Sequence, residues 1–243
     1  MYLSVIIPAF NEERVITQCL ESVYASFASL AHGGKPIRRE VIVVDNNSTD
    51  KTAQLAKEAG ACIVFEPINQ IGRARNAGAA RANGDWLLFL DADSLLSAEL
   101  LADIVRTIEC GTCVGLGCTL LMKDLPWWAD CIAYFWKGVS ILCHWAAGAL
   151  FVCRRDAFFA VGGFPEDIYA LEEVELSKRL KKWGQQYNLQ FVILTDHPLE
   201  TSSRKVALYS KIEIAQQILR ICCLPRRTLR EKRLLSVWYD GRR

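Results

Sequence analysis

The sequence predicts an α/β fold with a doubly wound sheet, and three observations predict it. Short apolar runs alternate with helical patterns from the first residues onward. Two of the runs end in a carboxylate, at Asp45 and at Asp91. The second of these, Trp86-Leu87-Leu88-Phe89-Leu90, is apolar without a break, the pattern of a central parallel strand covered on both faces.

Leu3–Pro8 is a short β-rich strand stopped by Pro8. Asn11 is the expected N-cap of the next helix, with Glu12 and Glu13 in its first turn. Val15, Cys19, Val23 and Phe27 continue it at helical spacing, and Gly33-Gly34 and Pro36 end it in a loop. Glu40–Asp45 is the second strand. Ser48 or Thr49 is expected to cap a helix running to Gly60, and Ala61–Phe65 is the third strand. Ile71–Ala80 reads as a helix of small residues carrying Arg73 and Arg75, leading into the strand at Trp86.

The second half is less regular. Leu100–Ile108 reads as a helix and Val114–Met122 as a strand. Trp127–Phe151 is dense in aromatic residues but contains Asp130 and Lys137, which argues against a membrane span and for an interfacial helix or core packing. Ala146–Val152 is a further strand, followed by a short helix at Ala157–Val161 and an amphipathic helix from Leu171 to Gly184. Phe191–Leu194 is a last strand, ending at Thr195-Asp196-His197-Pro198. Helical segments follow around Val206–Ile221 and Arg226–Leu235.

Of 243 residues, 51% are hydrophobic and the mean hydropathy is +0.13, which excludes a disordered chain and supports a sizeable core. The net charge of +2 hides an asymmetry. Residues 204–243 hold 11 Lys and Arg against 3 Asp and Glu, so the tail is strongly basic and the body mildly acidic. A basic tail points to nucleic acid, phosphate or a membrane surface, or to a solvated helix face. Met1-Tyr2-Leu3-Ser4 has no basic leader, so ten cysteines are expected in a reducing compartment, most as small buried hydrophobes. Cys110-Gly-Thr-Cys113 has redox-like spacing but no second pair to complete a metal site.

Asp91 and Asp93 lie at a strand's carboxyl end, where open α/β sheets bind ligands. They fit a Mg²⁺ or Mn²⁺ ion shared with a diphosphate, or a turn and helix cap. Arg73 or Arg75 fits the same diphosphate, or solvent. Glu172 and Glu173 fit general-base work, since adjacent carboxylates raise one pKa, or simply the first turn of a helix. Asp45 fits a nucleobase edge or a turn cap. His197 fits a third metal ligand or a structural role, and Arg204 with Lys205 a phosphate clamp or water.

In this order the residues resemble family 2 of the inverting glycosyltransferases. Val5-Ile-Ile-Pro8-Ala9-Phe10-Asn11-Glu12-Glu13 and Val43-Val44-Asp45-Asn46-Asn47-Ser48-Thr49-Asp50 carry the resemblance first. Gly72-Arg73-Ala74-Arg75-Asn76-Ala77-Gly78, Gly84-Asp85-Trp86 and Leu90-Asp91-Ala92-Asp93 follow. Gly148-Ala149, Arg154-Arg155, Gly162-Gly163-Phe164 and Glu172-Glu173 complete it, over residues 3 to about 185. The resemblance implies the GT-A fold, a Rossmann-like doubly wound mixed sheet, as a single domain over residues 1–203 with a basic helical tail over 204–243. Residues 1–95 would be the nucleotide-binding half and 96–203 the acceptor half.

It further implies a metal-dependent enzyme that moves one sugar, with inversion, from a nucleotide-diphospho-sugar to a hydroxyl of a glycan, lipid or small molecule. Pro8, Ala9, Glu12 and Asp45 would hold the nucleoside, and Arg73, Arg75, Asp91 and Arg204 the ribose and diphosphate. Asp93, Asp91 and His197 would hold the Mg²⁺ or Mn²⁺. Glu173 matches the usual catalytic Asp but is one methylene longer, with Glu172 in reserve. Thr201-Ser-Ser-Arg204-Lys205 stands where processive relatives carry Gln-x-x-Arg-Trp, which favours single transfer. Transfer to a polyprenyl phosphate, or an inactive nucleotide-binding membrane adaptor, are the alternatives. A cytoplasmic protein, peripheral on an anionic inner membrane face and without a nucleic-acid partner, is expected.

Overall fold

A computed structural model describes residues 1–33, 36–146, 148–204 and 208–235. Lys205, the start of the helix expected at Val206, and the last residues of the tail lie outside them. Among the described residues a mixed eight-stranded sheet runs in the order β3-β2-β1-β4-β7-β6-β8-β5. Its strands are β1 (Tyr2–Ala9), β2 (Arg38–Asp45), β3 (Cys62–Phe65), β4 (Trp86–Leu90), β5 (Ser94–Leu95), β6 (Cys113–Met122), β7 (Leu150–Arg154) and β8 (Gln190–Thr201). The helices of the first half are α1 (Ile16–Gly33), α2 (Thr52–Glu58), α3 (Ile71–Arg81) and α4 (Ala98–Glu109). Later come α5 (Trp127–Cys143), α6 (Arg155–Ala160), α7 (Glu172–Gln185), α8 (Lys211–Cys223) and α9 (Pro225–Arg230).

The double winding follows from strand alternation. On β1 and β4, Val5, Ile7, Leu88 and Leu90 face one core, covered by α1 and α4. Ile6, Leu87 and Phe89 face the other, covered by α3, α6 and α7. In this second core Phe164 meets Phe89 at 5.0 Å and Phe151 at 5.7 Å, both edge-on. Helix α3 lies close on the sheet because Gly78 has no Cβ: one would fall 2.4 Å from Ile6 Cγ2.

Several local expectations are corrected. β4 is parallel to β1 but antiparallel to β7, because the chain crosses over through β6 and α5 and returns. That reversal sets Gly148-Ala149 against the end of β4, where the Asp91 amide donates to the Ala149 carbonyl at 3.0 Å. Asn11 does not cap a helix. It is left-handed, with φ +54°, and its Oδ1 accepts from the Thr49 amide at 2.8 Å. Neither Ser48 nor Thr49 caps α2: the Asp50 carboxylate accepts the Thr52 amide instead. Ser94-Leu95 forms a short strand, so Asp93 caps no helix there, and α4 is capped by Ser97. β8 is much longer than Phe191–Leu194. Its partners on β6 step from Cys118 to Leu120 while its own step from Leu194 to Leu199, so Thr195–Pro198 bulges out of the ladder.

After Arg204 the chain folds back over the body. Tyr169 donates its amide to the Leu229 carbonyl at 2.7 Å, and Arg230 pairs with Asp167 at 2.9 Å. No helix among the described residues is long and apolar enough to cross a membrane.

Candidate active site

The carboxyl ends of β1, β2 and β4 and the start of β7 meet at one edge of the sheet, and the loops there tie to one another. The Asn11 amide donates to Ser48 Oγ at 3.0 Å and the Glu12 amide to Thr52 Oγ1 at 2.8 Å. The Ala9 carbonyl accepts from the Asn46 amide at 2.8 Å, and Pro8 and Ala9 are buried. Asp45, also buried, accepts the Ser48 amide on Oδ1 at 3.0 Å, as a turn-capping aspartate does. Glu12 is buried and receives Arg204 Nη2 at 2.6 Å, so two residues 192 positions apart in sequence are brought together.

Arg75 organises the other side. Its side chain is 1% exposed and lies on α3, beneath the end of β4. Nη2 donates to Asp91 Oδ1 at 2.9 Å and to the Gly148 carbonyl at 3.1 Å. Nη1 donates to Glu172 Oε1 at 3.0 Å and to Glu173 Oε1 at 2.8 Å. Its guanidinium also stacks 5.2 Å from the Phe164 ring centroid. Burial alone would lower the arginine pKa, but three carboxylates around the cation outweigh it and push the pKa up, Glu173 most among them. Burial first, then the charge of Glu173, pushes the Glu172 carboxyl up to about 8. The shift biases Glu172 toward its protonated form. Glu173 is the more accessible of the two, at 13% of its side chain against 4%. Gly148 makes room for it: φ is +94°, and a Cβ there would stand 3.2 Å from Glu173 Oε1.

Arg75 is thus engaged with protein carboxylates and the Gly148 carbonyl. Arg73 is likewise engaged, with Glu166 at 2.6 Å and Glu66 at 3.5 Å. Asp93 follows Asp91 on the same loop, and its carbonyl accepts the Ser202 amide at 3.2 Å. His197 is not brought to this pair. Carried out by the β8 bulge, its Nδ1 bonds Asp103 Oδ2 of α4 at 2.7 Å. No group of three or more metal-capable side chains forms among the described residues. Burial pushes the Cys113 thiol up to about 11, against a thiolate role for the Cys110–Cys113 spacing.

Sequence reasoning assigned no role to a polar latch beside this edge. Asn46 Nδ2 donates to the Glu66 and Ile68 carbonyls at 3.1 and 2.6 Å, and its Oδ1 accepts the Gln70 amide at 3.0 Å. Buried Gln70 then donates to the Glu166 and Ile168 carbonyls, each at 2.9 Å. A buried amide side chain among loop residues is the signal for such a latch, but its partners lie 96 and 98 residues away.

A model of glycosyl transferase family 2 matches residues 4–130. The glycosyltransferase Rv0539 of Mycobacterium tuberculosis is 31% identical over 125 residues, 51% of this chain and 52% of that protein. Glycosyltransferase AglE of Haloferax volcanii is 28% identical over 255 residues, 98% of this chain and 79% of that one. The chain spans about half the length of the first curated relatives it matches. Among solved structures, mannosyltransferase PcManGT from Pyrobaculum calidifontis, in complex with GDP-Man and Mn²⁺, superposes with a TM-score of 0.66 at 21% identity. The match covers 98% of this chain and 63% of that one, and it shows the GT-A fold. By the family model, over more than half its length, this chain belongs to glycosyl transferase family 2.

Proposed function

We propose that this protein transfers a single sugar, with inversion, from a nucleoside-diphosphate sugar to an acceptor hydroxyl. The carrying observation is the Arg75 junction. One guanidinium holds Asp91, on the loop after β4, and Glu173, at the start of α7. A group that faces a leaving diphosphate and a group that can take a proton are thereby fixed to one centre. Residues 1–95 act as the donor half, 96–203 as the acceptor half, and 204–243 as a basic tail.

The donor set fits a divalent ion. Mg²⁺ and Mn²⁺ take oxygen ligands and commonly use one or two carboxylates plus substrate phosphates rather than a full protein cage. Asp93 and Asp91 supply such oxygens without His197, and PcManGT holds Mn²⁺ on the same fold. When bound, the ion would neutralise charge growing on the departing diphosphate.

The chain's own residues do the rest. Asp45 and the loop at Pro8, Ala9 and Glu12 hold the nucleoside, with Arg204 braced on Glu12. Arg75 keeps Asp91 oriented and holds Glu173 in an ion pair. Glu173 takes the proton of the acceptor hydroxyl as the new bond forms. Glu172, biased toward its protonated form by burial, adds less charge beside it.

Transfer assays on Asp93→Ala and Glu173→Gln test this, with the anomeric configuration of product read by NMR. Both variants are expected to fold. Asp93→Ala should lose metal-dependent transfer, and Glu173→Gln should lose about 10²- to 10⁴-fold in rate. Full activity in either variant removes its assigned role, and a retained anomer removes the single displacement. A protein that binds nucleotide but never turns over donor would be an adaptor instead.

A further inference from the structure

α5 is strongly apolar and poorly covered. α5 buries only Ala129 and Ser140 of its 17 residues. Trp127, Tyr134 and Leu142 are 75%, 80% and 82% exposed, and they share one helical stripe at spacings of seven and eight. Phe135, beside Tyr134, is 71% exposed. Water contact with so much aromatic surface is costly and marks an interaction site. A second stretch adjoins it. Lys211, the first residue of α8, sets Nζ 5.6 Å from the Trp127 ring centroid and 5.9 Å from that of Trp128. α8 in turn exposes Ile212 and Leu219.

The adjoining stretch decides the occupant. Around α5 itself Lys123 and Lys137 are matched by Asp124 and Asp130, with Lys123 paired to Glu200 at 2.8 Å, but Lys211 meets its aromatic start and residues 208–235 carry seven Lys and Arg against two Glu. Exposed Trp and Tyr beside lysine and arginine suit the headgroup level of a bilayer with negative lipids. A second copy suits it less, because an isologous contact sets a patch against itself and would oppose like charges.

We propose that α5, with the start of α8, docks this protein on an anionic lipid surface. The proposal deepens the glycosyl-transfer reading and rests on it, because it names the surface at which transfer takes place. Gly148, whose carbonyl accepts from Arg75, follows the end of α5 by five residues in sequence, so the docked helix is close along the chain to the catalytic edge. A cavity of about 200 Å³ lies between α5 and the end of β6, lined by Tyr134, Lys137 and Leu120 among others. A lipid-linked acceptor would enter on that side.

The test is flotation of the full chain with phosphatidylcholine vesicles, with and without phosphatidylglycerol. The protein should float with the anionic vesicles only, and raised salt should release it. Tyr134→Glu combined with Phe135→Glu should weaken partitioning at least about tenfold, and Lys137→Glu at least about fivefold. Thermal stabilisation by a nucleoside diphosphate with Mn²⁺ should be unchanged in both variants, which shows that they fold. Absence of flotation at low salt overturns the proposal, as does flotation indifferent to both substitutions. A wild-type dimer that the double variant converts to monomer, without vesicle binding, makes the patch a contact between copies. Loss of nucleotide stabilisation in the wild type would instead count against the donor reading and leave the flotation result standing.

Discussion

The two sides of the candidate site are held in opposite ways. On the side proposed to hold the donor, the loops after β1 and β2 are joined by many neutral or half-neutral bonds, each contributing about 1 kcal/mol. Asn11, Ser48, Asp50 and Thr52 each meet a backbone amide of the same pair of loops. Losing one leaves the others. Where the proposed halves meet, Asp91, Glu172 and Glu173 all depend on Arg75. Losing that one cation leaves three crowded carboxyl groups, Glu172 buried and the other two partly so, with nothing to balance them. Redundancy suits a cradle for a large nucleotide, and a single shared cation suits a site that must fix a proton acceptor against a leaving group.

The comparison breaks most sharply at Arg75. Arg75→Met should destabilise the fold by about 3–5 kcal/mol, since removing one partner of a buried ionic cluster strands the others. Urea unfolding measures it. Arg75→Lys restores the charge but not the forked geometry, so it should recover only part of the loss. A donor-side change such as Ser48→Ala should cost about 1 kcal/mol. Equal losses at the two positions would erase the contrast.

Gly148→Ala sharpens the contrast in the catalytic rate. An L-residue at φ +94° is strained, by roughly 1–2 kcal/mol. Its Cβ would also meet Glu173 Oε1 at 3.2 Å and push the carboxylate off Arg75. A displacement of this kind should slow transfer by about a hundredfold while nucleotide binding survives. Gly138→Ala, with open space around its Cβ, is the control and should change neither.

The same contrast explains what the sequence disclosed. The donor half was legible because its signals are local. Strand alternation, Pro8 and the polar Asn46–Asp50 turn placed β1, β2 and α2 to within a few residues. Even there, Asn11 and Ser48 bond across loops rather than along the chain, which a capping rule cannot foresee. The Arg75 cluster was not legible, because Glu172 and Glu173 lie 97 and 98 residues away. Nothing in the run around Arg75 tells a buried cation from a phosphate ligand. β8 was misread for a related reason: Asp196, His197 and Pro198 resemble a strand end, and the ladder resumes at Leu199 only because β6 is there to pair with it.

Glu172 offers a subtler test. Burial raises its carboxyl from the ordinary 4.5 to about 8 in the folded protein. Between those values the folded state holds a proton that the unfolded chain releases. Its contribution to stability is therefore complete below about pH 4.5 and is lost as pH rises through about 8. The melting temperature of the ligand-free protein should fall across that window, and Glu172→Gln should flatten the decline. An unchanged slope would mean that Glu172 is ionised in the fold and would return it to candidacy as the base.

The smallest effect is expected at His197, and it separates the two accounts of the metal site. In the structure its ring bonds Asp103 Oδ2, while Arg106 takes Asp103 Oδ1 at 3.2 Å. Asp103 thus keeps a cationic partner when the imidazole is removed. His197 is itself 47% exposed, so the pair contributes little, about 1 kcal/mol or less. His197→Ala should melt within a few degrees of the parent and bind Mn²⁺ with nucleotide equally well, as isothermal titration can measure. A tenfold or greater loss of Mn²⁺ affinity would restore His197 as a ligand beside Asp93 and require Thr195–Pro198 to rearrange when donor binds. Unchanged affinity leaves the ion to two carboxylates and the diphosphate, and makes the β8 bulge a structural tie to α4.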